Sequence, residues 1–470
     1  MTDAASPPHT TPPEGTRRER DSMGEIDVAA DALWGAQTQR ALSHFAIGEE
    51  RMPLEWVHAM GRLKGAAARV NQRLGQLDAA RAQAIDAAAE EVARGLHDAQ
   101  FPLSLWQSGS GTQSHMNANE VIATLATRRL AGVPVHPNDH VNLGQSSNDM
   151  VPSALHLAAA LALRQQLLPA LDSLLGALAA QAALHADVIK LGRTHLQDAV
   201  PMTFGQEVGA WRAQVAMARA AIVASEEPLL GLAVGGTAVG SGLNTHREFG
   251  ALVCRELALS TGIAFAPAGD RFAALAGHEA LVVLHGGLRT LAVSLGKMAN
   301  DLRLLASGPR GGLAEVLLPA NEPGSSIMPG KVNPTQCEAL AMVCLQVVAN
   351  DLAVTLGASA GHLQLNTCKP LIAHNLLRSL RVLADAMRSF EQFTLRQMAP
   401  DGERMAGLIA GSLMLVTALT PHIGYERAAS IAQLAHAQRT SLRDAAIASG
   451  VDAADFDRWA DPAGMLSPPG

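Results

Sequence analysis

The segment GSSIMPGKVNPTQCEAL, residues 324–340, interrupts a chain that is otherwise rich in alanine and leucine. Asn333, Pro334 and Gln336 have the spacing of an N-cap, a first-turn proline and a capping-box residue, which predicts that a helix begins at about residue 334. Glu338 would lie in its first or second turn. The free amides of a helix N-terminus favour negative charge. The segment therefore predicts a loop that ends at an anion-binding helix start.

Lys331 adds a full positive charge beside this helix start. A phosphate-binding loop of the Walker A type is excluded, because five residues separate Gly324 from Gly330 and Val332 follows the lysine. The segment HEALV at 278–282 likewise lacks the second histidine of a zinc protease motif. The lysine is therefore interpreted as a carboxylate or similar anion ligand.

Composition excludes several classes of function. Lysine and arginine number 36 against 43 acidic residues, so the net charge of −7 does not favour nucleic acid binding. The first residues are proline-rich and match neither a secretory signal nor a membrane anchor, which predicts a disordered tail over 1–22. The uncharged stretch 405–425 is interrupted by glycine and proline, so we expect a buried helix with a turn there rather than a membrane span. Four cysteines without paired spacing are interpreted as reduced thiols of a cytoplasmic protein: Cys254, Cys337, Cys344 and Cys368.

Long apolar segments without internal proline dominate the middle of the chain and predict an all-α fold. Aromatic residues are only 3% of the chain, so alanine and leucine must fill the core. Small residues allow helices to approach closely, which favours an elongated bundle of five helices. The predicted helical segments are 153–189, 204–226, 271–307, 335–356 and 372–398. The predicted domains are an N-terminal helical domain over 23–145, a central bundle over 146–402 and a small helical domain over 403–470.

Two polar segments before the bundle could bind an anion. In SGSGTQSHMNANE, residues 108–120, the Ser110, Gly111 and Thr112 triplet offers hydroxyl and backbone donors to a carboxylate, although a plain linker is the alternative. In HPNDHVNLGQSSND, residues 136–149, the last four residues precede a helix, where they either bind an anion or only cap the helix.

Histidines occur in two of the polar segments. His136 and His140 have a spacing seen in helical metal sites, but Pro137 disfavours such a helix and a third ligand is not evident, so no metal is predicted. In GRTHLQDAVPMT, residues 192–203, His195 lies in an extended stretch before a capping box at Thr203. A lone histidine is more often structural, so its function depends on a partner.

Taken together, these segments resemble the fumarase/aspartase superfamily, whose signature loop has the form G-S-S-x-M-P-x-K-x-N. The chain matches it from Gly324 to Asn333 without a gap, and the resemblance extends from about Asp21 to near the C-terminus. WQSGSGTQS, HPNDHVN, GRTHLQDA and GKVNPTQCEAL are similar to the class II fumarase branch, which hydrates fumarate to malate without iron. Aspartase is the nearest rival, and QDAVPMT is equally similar to both.

The resemblance implies a three-domain, all-α fold whose central five-helix bundle forms a twenty-helix core in a homotetramer. Each active site would combine residues from three chains. It also implies reversible hydration of fumarate to (S)-malate in the tricarboxylic acid cycle, through an aci-carboxylate intermediate, with no cofactor and no metal. These properties are expectations at this point.

The resemblance also implies roles for individual residues. Ser325 would be the general base, Lys331 and Asn333 would hold the carboxylate whose charge grows, and His195 paired with Glu338 would exchange the proton of the hydroxyl group. The implied substrate-binding residues are Ser110, Gly111, Thr112, Ser146, Ser147, Asn148, Thr194, Ser326, Lys331, Val332 and Asn333. The implied residues of a second dicarboxylate site are His136, Pro137, Asn138 and Asp139.

Some positions depart from the usual fumarase pattern. His115 replaces a common asparagine, Leu143 stands where lysine is frequent, and a basic residue often found shortly before HPND is missing. A substituted fumarate such as mesaconate, or aspartate, therefore stays open as the substrate. A non-catalytic helical scaffold and a binding protein for C4-dicarboxylates are further alternatives, but neither explains why Ser325, Lys331, His195 and Glu338 are all present.

Overall fold

The structure is a computed structural model that describes residues 14–466, and it is mostly helical, as the sequence predicts. The α-helices are α1 (Ala36–His44), α2 (Leu54–Arg73), α3 (Ala79–Ala93), α4 (Thr112–Arg129), α5 (Ser147–Ala162), α6 (Leu168–Leu184), α7 (Phe204–Ala224), α8 (Glu226–Leu229), α9 (Phe249–Thr261), α10 (Arg271–Ala276), α11 (Glu279–Leu305), α12 (Thr335–Ser359), α13 (Lys369–Phe390), α14 (Gly402–Gly411), α15 (Thr420–Ile423), α16 (Tyr425–Gln438), α17 (Leu442–Ala448) and α18 (Ala453–Trp459). Short 3₁₀ segments are Asp98–Gln100, Leu413–Leu419 and Pro462–Met465, and π-helical turns are Pro137–Val141, Leu163–Leu167 and Glu391–Leu395.

The strands form four small two-stranded ladders. They are β1 (Thr16–Asp21), β2 (Gly24–Ala29), β3 (Ile189–Thr194), β4 (Gln197–Thr203), β5 (Gly231–Leu232), β6 (Ala266–Pro267), β7 (Val316–Leu317) and β8 (Ala399–Pro400). β1 pairs with β2 in an antiparallel hairpin, so the predicted tail is wrong over its last residues. The earlier part of that tail lies outside the described residues.

Five long helical segments occur where the sequence predicts them. The first is continuous through α5, the π-helical turn at 163–167 and α6, and the others are α7, α11, α12 and α13. The third is shorter than predicted: α10 ends at Ala276 and α11 begins at Glu279. Gly277 takes an extended conformation (φ −126°, ψ 168°), which ends α10 after less than two turns. A hydrophobic pattern alone did not reveal this break.

The chain divides into two compact units, each assembled from separate segments. The first comprises the described residues up to Leu167, with Ala221–Arg289 and Gln346–Val382, and the second comprises Leu168–Ala220, Thr290–Leu345 and the described residues from Leu383. In the first unit, α2 packs against α3, α5 and α9, with Trp56 and Leu63 fully buried. These units do not follow the predicted boundaries at 145 and 402, so the three-domain division stays a prediction.

The segment 405–425 is a broken helix, as expected. α14 ends at Gly411, and the following helical residues, Leu413–Ile423, are bent from it by 65°. Ser412 accepts a hydrogen bond from Met414 N (3.2 Å) at the break, and Leu419 is fully buried.

By length and composition alone, two other helical segments could cross a membrane, Ser147–Leu184 and Thr335–Ser359.

A buried ion cluster in the second unit holds the β3–β4 hairpin. The fully buried Glu315 accepts from Arg193 (2.9 Å) and lies 3.3 Å from the ammonium of Lys190, which also donates to Glu207 (2.6 Å). The Glu315 backbone bonds to Leu305 O and accepts from Asp401 N, both at 2.9 Å. One residue, through its side chain and its backbone, thus ties the hairpin to the end of α11 and the start of α14.

We expect Glu315→Ala to lower the free energy of unfolding by about 3–5 kcal/mol, because it leaves two cations in a buried site with one carboxylate. Denaturant unfolding followed by circular dichroism measures the change. Asp385→Ala is the matched control, because it removes an exposed helix-surface partner of Arg388 and should leave the unfolding midpoint almost unchanged. Equal midpoints for the two variants would show that the cluster contributes no stability.

Candidate active site

A chain of hydroxyl groups connects two of the polar segments in the first unit. Ser110 Oγ lies 2.8 Å from Thr112 Oγ1, which lies 2.9 Å from Ser147 Oγ at the first residue of α5. Gly111 precedes α4 with a left-handed conformation (φ 75°) that glycine adopts without strain. Residues that are far apart in sequence therefore form one half-buried cluster of donors, which we call the hydroxyl cluster (Ser110, Thr112 and Ser147).

The N-terminus of α5 is capped as the sequence predicts. Ser146 Oγ accepts from Asn148 N (3.2 Å), and the carboxylate of Asp149 accepts from Ser146 N (3.0 Å). The amide of Asn148 donates to Ala238 O (2.8 Å). The capping interpretation is therefore correct, while the binding interpretation is not excluded, because the hydroxyl cluster lies at the same helix end.

Asp149 is a buried carboxylate behind this helix end. Its second oxygen accepts from Gly235 N (2.9 Å) and Thr237 N (3.0 Å). Burial raises the pKa of Asp149 to about 6, although the three backbone amides that donate to the carboxylate act to lower it. No pattern in the sequence indicated that the glycine-rich segment after Val234 would contact α5, because the two are far apart along the chain.

His195 lies at the tip of the β3–β4 hairpin. It and Leu196 both have positive φ angles, 54° and 60°, so the predicted extended stretch is in fact a tight turn between two strands. The capping box that follows is confirmed, since Thr203 N donates to Gln206 Oε1 (2.9 Å) and Gln206 N donates to Thr203 Oγ1 (3.0 Å). The imidazole is exposed at the end of a short hairpin, which the ion pairs of Glu315 hold in place.

The signature loop is held by hydrogen bonds within itself. Ser325 Oγ accepts from Ile327 N (3.2 Å) and Met328 N (2.9 Å), and Gly324 N donates to Lys331 O (2.9 Å). Asn333 donates its side-chain amide to Gly324 O (2.6 Å). The loop borders a cavity of about 320 Å³. Gly324 and Asn333, the first and last residues of the signature loop, are therefore hydrogen-bonded to each other. The hydroxyl oxygen of Ser325 accepts two backbone amide hydrogen bonds.

The predicted helix cap at Asn333 is wrong by one residue. α12 begins at Thr335, and Pro334 O accepts the first helical bond, from Glu338 N (3.1 Å). Asn333 does not cap α12, because its amide group closes the loop. Gln336 does not complete a capping box, because it accepts from Ser389 Oγ (2.7 Å).

The predicted pair of His195 and Glu338 is not formed within one chain. In the described residues no hydrogen bond or ion pair joins the two side chains, and Glu338 lies 3.9 Å from the guanidinium of Arg303. Lys331 is exposed and Ser325 is half-buried. The pairing stays a prediction.

The segment around His136 forms a single π-helical turn rather than a metal-binding helix. His136 Nδ1 accepts from Asn138 N (3.3 Å) and Asp139 N (3.1 Å), while His140 Nδ1 accepts from His136 N (2.8 Å). The Nδ1 atoms of both histidines therefore accept hydrogen bonds from backbone amides of the same turn. Among residues 14–466, no group of histidine, cysteine or acidic side chains has the arrangement of a metal site.

Comparisons with known proteins identify the family of this chain. The family model described as "Lyase" matches residues 24–349, and that described as "Fumarase C C-terminus" matches residues 415–467. The class II fumarate hydratase of Chromobacterium violaceum is 57% identical, over 96% of this chain and 99% of its own length. A class II fumarate hydratase of Pseudomonas aeruginosa is also 57% identical, over 96% and 98%. The crystal structure of class II fumarase from Schistosoma mansoni superposes with a TM-score of 0.93 at 44% identity, over 96% and 99% of the two chains.

The fold and the matched residues define a lyase of the fumarase/aspartase type. Within that superfamily, the chain belongs to the class II fumarate hydratase family.

We expect Gly109→Ala to destabilise the protein by about 1–3 kcal/mol or more, because an added methyl group would overlap the carbonyl oxygen of Thr367. Lys369 N donates to Gly109 O (2.9 Å), so the two segments cannot separate freely. Thermal unfolding measures the loss. Gly176→Ala in α6 is the control: its methyl group meets no heavy atom within 4 Å, and removing a helical glycine should stabilise by up to about 1 kcal/mol. The same response at both positions would contradict the close contact.

Proposed function

We propose that this protein is a fumarate hydratase that reversibly converts fumarate to (S)-malate. The observation that carries the proposal is the similarity over nearly the whole chain to class II fumarate hydratases. All four reactive groups implied by the signature, Ser325, Lys331, His195 and Glu338, are present in this sequence. A scaffold protein would be under no constraint to retain them.

One carboxylate of the substrate would bind at the hydroxyl cluster. The Thr112 hydroxyl group lies within 3 Å of those of Ser110 and Ser147, and the three groups provide donors beside a helix N-terminus. Asn148 supplies an amide in the same turn. We propose that Gly111, Ser146, Thr194, Ser326 and Val332 complete the binding site.

Ser325 would remove the proton from the carbon next to the second carboxylate. Two backbone amides donate to its Oγ, and donors of this kind favour the anionic form of an oxygen. The positive charge of Lys331 in the same loop acts in the same direction. The negative charge that develops on the carboxylate would be held by Lys331 and Asn333.

The leaving hydroxyl group needs a proton to depart as water. In the direction from malate to fumarate, Ser325 takes the carbon proton, the C–O bond breaks, and a proton delivered at His195 completes the water molecule. A carboxylate partner such as Glu338 would stabilise the imidazolium form of the histidine. The reverse sequence adds water to fumarate.

We propose that the active protein is a homotetramer whose sites combine residues from three chains. Within one chain, α12 exposes an apolar stripe formed by Met342, Leu345, Leu352 and Leu356, each more than half exposed. Such a stripe on a long helix is typical of an interface. Assembly would also bring Glu338 of one chain to His195 of another.

We also propose a second dicarboxylate site at residues 136–139. A cavity of about 770 Å³ is lined by His136, Pro137 and Asn138 together with Arg20 and Arg128, and Glu19, Asp21 and Glu120 also line it. We propose that Arg20 and Arg128 take the place of the basic residue that is missing from the sequence before His136, since Arg17 already donates to Glu19 and to backbone carbonyls. We propose a cytoplasmic enzyme that needs no cofactor.

We expect the purified protein to form fumarate from malate in the presence of a chelator, and Ser325→Ala to lower kcat by about 10²–10⁴-fold because the general base is lost. Ultraviolet absorbance of fumarate measures the rate. Ser430→Ala, on the exposed face of α16, is the control and should retain full activity.

Aspartate and mesaconate are tested in parallel. If malate and fumarate are inert while either compound reacts, the protein is a different dicarboxylate lyase of the same superfamily. If none reacts, the catalytic proposal is wrong.

We expect hybrids of two inactive variants, Ser325→Ala and His195→Asn, to regain up to about a quarter of wild-type activity after joint refolding, because a shared site can then take each intact residue from a different chain. Activity of the mixture is compared with that of each variant refolded alone. Recovery is expected only for the mixture. A mixture as inactive as its components would place both residues in the site of a single chain.

A further inference from the structure

A fully buried lysine lies behind the hydroxyl cluster. Lys64 of α2 is 0% exposed, and its ammonium group contacts His115 Nε2 (2.8 Å), Asn142 Oδ1 (3.1 Å) and Gln145 Oε1 (2.8 Å). All three contacts are with neutral groups, and the described residues show no ion pair to this lysine. A buried charge without a direct counter-ion is costly, so its retention calls for an explanation.

The contacts of Lys64 organise the turn that leads into α5. Gln145 donates to Val141 O (3.0 Å) and Leu143 O (3.1 Å), and Asn142 donates to Gln145 O (3.2 Å). Both amide side chains accept from Lys64 at their oxygen atoms. The next residue is the N-cap Ser146, so the geometry of the turn fixes where α5 begins and where Ser147 presents its hydroxyl group.

His115 contributes the third contact from α4. It is 1% exposed, and it lies one turn after Thr112, which belongs to the hydroxyl cluster. Burial lowers the pKa of His115 well below its usual range, and the neighbouring Lys64 charge acts in the same direction. Burial also lowers the pKa of Lys64, while Asp149 opposes that shift. Both shifts favour the neutral forms of the two side chains.

Resting on the proposed function, we propose that Lys64 and His115 are positioning residues for substrate: their hydrogen bond joins α2 and α4 to the 142–146 turn and thereby fixes the hydroxyl cluster that receives a carboxylate. Neither residue touches the substrate in this arrangement. Whichever of the two nitrogens donates, the contact between them is a hydrogen bond, so its loss should weaken substrate binding more than it slows the chemical step.

Two substitutions of His115 separate hydrogen bonding from packing. His115→Gln keeps a polar group that either donates or accepts, while His115→Met has a similar size without a strong partner. We expect His115→Met to raise KM for fumarate, and Kd for succinate in titration calorimetry, by about 10-fold or more, because a buried partner is left unsatisfied. We expect His115→Gln to stay within about 3-fold of wild type in both constants, and kcat to change by less than about 3-fold in either variant.

A double variant distinguishes loss of positioning from loss of stability in the His115→Met variant. Lys64→Met combined with His115→Met replaces both partners by apolar groups, which removes the incompletely bonded ammonium group that His115→Met alone leaves and should raise the unfolding temperature above that of His115→Met. Its KM and succinate Kd should still be raised, because Asn142 and Gln145 lose their common donor. Wild-type constants in the double variant, or equal constants in the Met and Gln variants, would overturn the positioning role.

The same measurements separate this inference from the proposed function. If the wild-type protein hydrates fumarate and all variants bind succinate equally, only the inference is wrong. If the wild-type protein binds succinate without hydrating fumarate, the proposed function is wrong, and the variants still decide the inference. If the wild-type protein neither reacts nor binds succinate, both are wrong.

Discussion

The buried carboxylate of Glu315 is the constraint on which the second unit depends. Its side chain holds the hairpin that ends in His195, through Arg193 and Lys190, while its backbone is bonded to the end of α11 and the start of α14. A buried charge of this kind tolerates little displacement, because moving either cation leaves it unpaired in a medium of low polarity. An exposed histidine is thereby carried on a rigid support rather than on a mobile loop.

A different constraint governs the first unit. There, the polar groups at the start of α5 are backed by a buried lysine and a buried aspartate whose partners are mostly uncharged side chains and backbone amides. Lys64 lies in the middle of α2, but Asp149 and most of the partners lie at helix ends or in loops, where donors and acceptors are available. The polar segments therefore lie at helix ends both in the sequence and in the structure.

Sequence patterns predicted the long helices well, because apolar residues with helical spacing and no proline have few other stable arrangements. They failed at Gly277, where one residue ends a helix inside an apolar run, and at Asn333, whose side chain satisfies a loop carbonyl instead of a helix amide. The break at Gly277 depends on the backbone conformation of a single residue, which an apolar pattern does not specify, and the partner of Asn333 lies nine residues away, outside the reach of a helix-cap pattern. For the same reason, the lysine at residue 64 and the arginines beside His136 were not predicted, since their partners come from other elements.

The backbone of His195 has a consequence for how this protein can change over time. A left-handed conformation costs a residue with a side chain on the order of 1 kcal/mol relative to glycine, and asparagine tolerates it better than histidine does. Selection for stability alone would therefore remove the imidazole from the hairpin tip. An imidazole at the hairpin tip is therefore kept at a cost in stability, which a glycine or asparagine variant would recover only by giving up the chemistry of the histidine.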